Sequence, residues 1–201
     1  MSEHRIRRIL PIALSLIVVA AAIAGLFSLA RVLFFSGNST NTVSQTDISK
    51  EALLNTSADR AVYMTVRGKI VADESFRSYQ IQITPSSRKI VTYQGYLDNE
   101  ITNISLTNNI PAYEQFVYSL YKANLIKGTE LTGESNETRG ICATGFVYSF
   151  QIVKADKTVK QLWTSSCSGS KGSLSASYPQ LSGLFIKQIP DADKLINKLW
   201  Q

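Results

Sequence analysis

Apolar and polar positions along this chain fall into three regimes. Residues 9–30 read ILPIALSLIVVAAAIAGLFSLA, a run of 22 residues without a charge. At about 1.5 Å of rise per helical residue, this run crosses the roughly 30 Å hydrocarbon core of a bilayer. Apolar residues resume after Arg31 as Val32-Leu33-Phe34-Phe35, so the predicted transmembrane signal-anchor covers 9–35. Residues 36–59 are rich in Ser, Thr and Asn with little apolar periodicity, and read as a polar linker. From residue 60 to 201 the pattern is that of a folded domain.

Within that domain the period is first two. Val62-Tyr63-Met64-Thr65-Val66 and Tyr79-Gln80-Ile81-Gln82-Ile83 alternate apolar with polar positions, as a strand with one buried face requires. The stretch Thr84-Pro85-Ser86-Ser87-Arg88 supplies turn residues, and 89–97 continues as a third strand. The period then changes. Pro111 suits a first helical turn, and Tyr113, Phe116, Val117, Leu120 and Tyr121 line one face of a helix that the pattern ends near Gly128. The second half repeats the plan. Phe146, Tyr148, Phe150 and Ile152 alternate, 154–158 turns, and 159–166 returns. Pro179 opens a helix through Leu181, Leu184 and Phe185. Asp191 offers a cap for a last one bearing Leu195, Ile196, Leu199 and Trp200. The expected class is therefore α+β: an antiparallel sheet in hairpin-helix, hairpin-helix order, preceded by one transmembrane helix.

Charge changes this picture in one respect. The net +6 divides: Arg5, Arg7, Arg8 and Arg31 flank the apolar run against Glu3 alone, while residues 36–201 carry 17 Lys+Arg and 14 Asp+Glu. Half of the excess is thus an orientation signal. It makes 1–8 a cytoplasmic basic tail and places the domain outside the cytoplasm, in the cell membrane as a single-pass protein. Ser28-Leu29-Ala30 has the small residues of a signal-peptidase site, which leaves cleavage after Ala30 as the alternative. The near-balanced remainder lacks the clustered basic stripe of a nucleic-acid binder, so no nucleic-acid partner is expected.

The two cysteines bracket the second hairpin. A hairpin centred between Lys154 and Ala155 sets Cys142 and Cys167 opposite each other at its open end, with Phe146 facing Trp163, and an exported domain lies in an oxidising compartment. A structural disulfide follows. Their spacing is not the C-x-x-C of a redox motif.

Candidate chemistry is sparse. The only histidine is His4, in the basic tail. This removes Ser-His-Asp, Cys-His and His-metal arrangements from the domain, and neither metal nor cofactor is expected. Asp73, Glu74, Asp98 and Glu100 could pair as glycosidase-type carboxylates, although all sit in or near turns. Gly169-Ser170-Lys171-Gly172 has the glycines of an anion-cradling loop without the strand-loop-helix context. The charged segment before Cys142, with Glu134, Glu137 and Arg139, is a candidate binding loop, since functional residues favour loops on a rigid scaffold.

The succession of Tyr79-Gln80-Ile81-Gln82-Ile83, a helix at 112–124, Tyr148-Ser149-Phe150-Gln151-Ile152, Gln161-Leu162-Trp163 and a Pro179-Gln180-Leu181 helix resembles emfourin-type domains. These are small proteins that include inhibitors of thermolysin-like metalloproteases. The resemblance spans about 110 residues and is one of layout, without a residue-level motif. It implies an α+β fold and inhibition of an extracellular metalloprotease. From the residues themselves, the expected role is a non-enzymatic binding or structural module at the cell envelope, with a protein or envelope partner. A carboxylate-based hydrolase is the alternative from another class.

Overall fold

The computed structural model describes residues 45–201, which lie in the second of two units into which the chain divides, Val43–Gln201. The predicted anchor at 9–35 and the basic tail fall outside the described residues. Among the described residues, no helix is long and apolar enough to cross a membrane.

Helix α1 (Gln45–Leu54) comes first, followed by strands β1 (Arg60–Arg67), β2 (Arg77–Ile83), β3 (Ser87–Gln94) and β4 (Asn99–Thr107). Helix α2 (Ile110–Lys122) leads to β5 (Val147–Lys154) and β6 (Lys157–Ser165), and α3 (Tyr178–Ile186) and α4 (Ala192–Leu199) close the chain. The fold is α+β, with one six-stranded antiparallel sheet in the order β4-β3-β2-β1-β5-β6. β1 is central because α2 carries the chain back across the sheet, and β5 then pairs with β1's free side.

Strand alternation decides the faces. Val62, Met64 and Val66 of β1, Ile81 and Ile83 of β2, Ile90 of β3 and Phe150 and Ile152 of β5 point to one side. There they meet Tyr113, Phe116, Val117 and Leu120 of α2, and Leu181 and Phe185 of α3, in one core. Phe185 joins the layers, with its ring edge-on to Phe116 at 5.1 Å and tilted against Phe150 at 6.0 Å. The opposite face is polar: Gln80 donates to Thr65 Oγ1 at 3.1 Å and Gln82 to the Tyr63 hydroxyl at 2.7 Å. A smaller apolar cluster of Cys142, Val147 and Trp163, with Leu131, Ile141 and Cys167 against it, covers only the β5–β6 end.

Several expectations are corrected. The segment read as polar linker contains α1, which buries Ser49, Ala52 and Leu53. Its inward face begins with a serine, so apolar spacing alone does not reveal it. The first half holds four strands rather than three. β3 stops at Gln94, the turn at 95–98 passes through Gly95 and Asp98 at positive φ, and β4 follows as an edge strand. β4's outward positions Asn103 and Ser105 are polar, and a register irregularity at Thr92/Tyr93 breaks its alternation. α2 ends at Lys122, before Gly128. Asn124 adopts φ 62°, while the amides of Asn124 and Leu125 donate to the carbonyls of Tyr121 and Leu120, closing the helix in a Schellman motif. Asp191 does precede α4, but in the left-handed region and without a side-chain cap hydrogen bond. Its carboxylate pairs with Lys194 at 2.6 Å instead.

The second hairpin has a different register from the expected one. Ala155 and Asp156 both have positive φ, the two-residue turn that suits strand twist, and a bulge follows at Ile152/Val153. Trp163 consequently pairs with Ser149, not with Phe146.

Candidate functional site

The strand registers bring four loops to one end of the sheet. The C-terminal end of β1 lies beside the starts of β2 and β5 and, through β2, beside the end of β3. The β1–β2 loop (68–76), the β3–β4 turn (95–98), the approach to β5 and the exit from β6 therefore share that end. The opposite end carries the tight turns after β2 and β5 together with the α1–β1 and β4–α2 connections.

Tyr96 organises this end. Its ring stacks on Phe76 with centroids 4.1 Å apart. Its hydroxyl donates to the Val71 carbonyl at 2.7 Å and accepts from the Val71 amide at 3.1 Å, while its own amide donates to Asp73 Oδ1 at 2.7 Å. The Arg67 guanidinium also lies over the Phe76 ring, 5.1 Å from its centroid. A cation over an aromatic face is held by the ring quadrupole. The amide of Ile70 donates to the Ala143 carbonyl at 2.9 Å, tying the β1–β2 loop to the segment that carries Cys142.

Two features result. The first is a pocket of about 470 Å3 walled by Arg67, Ile70, Phe76, Tyr96, Arg139 and Ile141. The second is an apolar ledge beside it, on which Ile70 is 45%, Val71 42%, Tyr96 38% and Leu97 87% exposed. Isolated exposed apolar residues are ordinary, but a cluster on neighbouring loops marks an interaction surface.

The disulfide Cys142–Cys167 is present, with Cα atoms 5.4 Å apart. It does not sit in the strand ladder. Cys142 lies before β5 at φ 58°, and a turn closed by the Gly145 amide on the Cys142 carbonyl folds it back toward Cys167. Gly145 is required there, because a Cβ would stand 2.7 Å from Cys142 Sγ and would also strike Ser166 Oγ. The bridge anchors the loop that supplies Arg139 and Ile141 to the pocket.

Of the predicted loop residues, the structure brings two together and leaves the third apart. Arg139 Nη2 meets Glu137 Oε2 at 2.6 Å and the Arg139 amide donates to Glu137 Oε1 at 2.8 Å. The Arg139 side chain holds the Glu137 carboxyl far below its usual range. Glu134 is exposed in a short 3-10 turn, Gly133–Asn136. Asn136, one of four Asn-x-Ser/Thr triplets, accepts from Trp163 Nε1 at 3.1 Å, which pins this loop over the sheet.

The remaining candidates build structure. Asp73 accepts from the Tyr96 amide, and Asp98 Oδ1 lies 3.4 Å from Ser78 Oγ. Glu74 and Glu100 are exposed. Burial raises the Tyr93 hydroxyl above its ordinary pKa, and Glu100 and Asp98 beside it add to the shift. At 169–172 the backbone is turned toward β6, with the carbonyls of Ser170 and Lys171 accepting from Ser165 Oγ at 2.8 Å and Thr164 Oγ1 at 3.1 Å. Gly172 has φ 64° and a Cβ there would collide with the Trp163 backbone. Among the described residues, no group of three or more His, Cys, Asp or Glu side chains is placed to hold a metal ion.

Arg67, Phe76 and Tyr96 were not singled out by sequence reasoning. A signal existed in the apolar pair Ile70-Val71, which falls between two predicted strands, whereas Tyr96-Leu97 lay hidden inside the strand expected over 89–97. No protein-family model matches this chain, and no curated protein matches it.

Proposed function

We propose that the chain is a single-pass membrane protein whose extracytoplasmic domain is a non-enzymatic binding module at the cell envelope, and that the loop end of its sheet is the binding surface. The observation that carries the reading is the ledge of Ile70, Val71, Tyr96 and Leu97. It stands on loops held by side-chain hydrogen bonds and by the disulfide-anchored segment, so the apolar surface is presented by a fixed framework. The acids considered for hydrolysis support it too, since Asp73 and Asp98 are engaged in shaping the same turns. The membrane position rests on the uncharged run at 9–30 and its flanking arginines.

Photo-crosslinking tests this in the intact chain in its native membrane. A photoreactive residue at Leu97, on the ledge, is expected to give a discrete macromolecular adduct. The same residue at Asp156, in the turn at the other end of the sheet, is expected to give none. Absence of an adduct at Leu97, or equal labelling at both positions, counts against the reading.

A further inference from the structure

The two arginines that wall the pocket beside the ledge differ in one respect. Arg139 is already neutralised by Glu137 at 2.6 Å. Arg67 makes no salt bridge with any described residue. Arg67 is half-buried at the end of β1, and its guanidinium lies over Phe76, 5.1 Å from the ring centroid, with Phe76 itself stacked on Tyr96. A guanidinium fixed by one face keeps its rim of N–H donors free, and that planar fork matches a carboxylate in two parallel hydrogen bonds. The stack has also restricted the side chain in advance, so less freedom is lost when a ligand arrives. The rest of the wall is mainly apolar, with Ile70, Phe76, Tyr96 and Ile141 prominent and Thr138 adding a hydroxyl. A volume of about 470 Å3 falls within the roughly 300–1,000 Å3 of small-ligand sites and accommodates one or two residues of a peptide.

We infer that this pocket is a carboxylate-anchoring site, in which Arg67 takes the carboxylate of a polypeptide partner while Phe76, Tyr96, Ile70 and Ile141 hold the adjoining apolar side chain. The inference rests on the binding-module reading and specifies the partner's chemistry. A peptide is the occupant because the pocket is continuous with the ledge through Ile70 and Tyr96, so a ligand seated in it has apolar surface to run along outside. The carboxylate is either a chain terminus or an Asp/Glu side chain, and both present the same group to Arg67.

The test uses the full-length chain in nanodiscs and saturation-transfer NMR of three probes. These are N-acetyl-Phe-Leu with a free carboxylate, the same dipeptide as its carboxamide, and N-acetyl-Asp-Leu carboxamide. At least one carboxylate-bearing probe is expected to bind at least tenfold more tightly than N-acetyl-Phe-Leu carboxamide, and which one does so identifies the source of the carboxylate. Arg67→Gln is expected to abolish that preference. Arg67→Lys, which keeps the charge but not the fork, is expected to retain only part of it, and it covers the case in which the Gln variant does not fold. No binding of any probe to the unaltered chain, equal affinity for acid and amide, or a preference that survives in both variants would overturn the inference. The Leu97 crosslink is read independently, so absence of a carboxylate preference in the unaltered chain with the crosslink intact refutes this site and leaves the ledge standing.

Discussion

Cys142 shows what a single residue contributes here. Its spacing from Cys167 was enough to predict a disulfide, yet the reason for the pairing lay elsewhere. The expected ladder register would have put the cysteines opposite each other on paired strands. Instead the register places Trp163 against Ser149, and Cys142 reaches its partner only through a positive φ and the close turn at Gly145. Local conformations of this kind are set by neighbouring groups, and a hydropathy pattern does not encode them. Because the bridge closes a separation of 25 residues, the chain-entropy model assigns it about 3.5 kcal/mol. We therefore expect reduction, or the Cys142→Ser/Cys167→Ser double variant, to lower the melting temperature by roughly 10 °C, as read by calorimetry with and without reductant. An unchanged melting temperature would show that the bridge adds no stability. Glu137 and Arg139 illustrate the same point at the surface. Both were legible as charged loop residues, but only the folded loop shows that they pair and so leave Arg67 as the pocket's unneutralised cation.

At the scale of the element, legibility followed burial on one clean face. α2 was readable because Tyr113, Phe116, Val117 and Leu120 are all apolar and all buried. α1 was not, because its buried face combines Ser49 with Ala52 and Leu53, and β4 was not, because an edge strand has only a half-buried inner side. α1 nonetheless belongs to the domain: Leu53 is fully buried in the main core and Arg60, at the start of β1, reaches back to Glu51 at 3.1 Å. Leu53→Ala is expected to cost about 2–5 kcal/mol of folding stability. Ile48→Ala, on the same helix at 40% exposure, is expected to cost about 0.5 kcal/mol or less. Urea unfolding of the two variants decides the matter, and equal small effects would return 45–54 to the status of a tether.

For the whole domain, the core places two phenols under the same constraint. Burial raises the hydroxyls of Tyr79 and Tyr113 far above the ordinary tyrosine range, with Tyr148 adding to the effect at Tyr79 and Arg60 opposing it at Tyr113. An unfolded tyrosine ionises near about 10. The folded state thus binds these protons more tightly, and the stability they contribute is present below that pH and is lost as pH rises through and beyond it. Phenolate absorbance of these two residues should appear together with the loss of far-UV circular dichroism, and Tyr79→Phe with Tyr113→Phe should move the alkaline unfolding midpoint upward. Their ionisation in a still-native spectrum would contradict the burial. The sequence by itself determined the α+β class, most of the core-facing residues, the charge asymmetry across the apolar run and the absence of a histidine after His4, because these depend on local periodicity or composition. The tertiary structure alone decided the strand order, the shared end of the sheet and the meeting of Arg67, Phe76 and Tyr96 beside Arg139. Those residues lie up to 72 positions apart, and the pairing of β1 with β2 and β5 and of β2 with β3 brings them to one place.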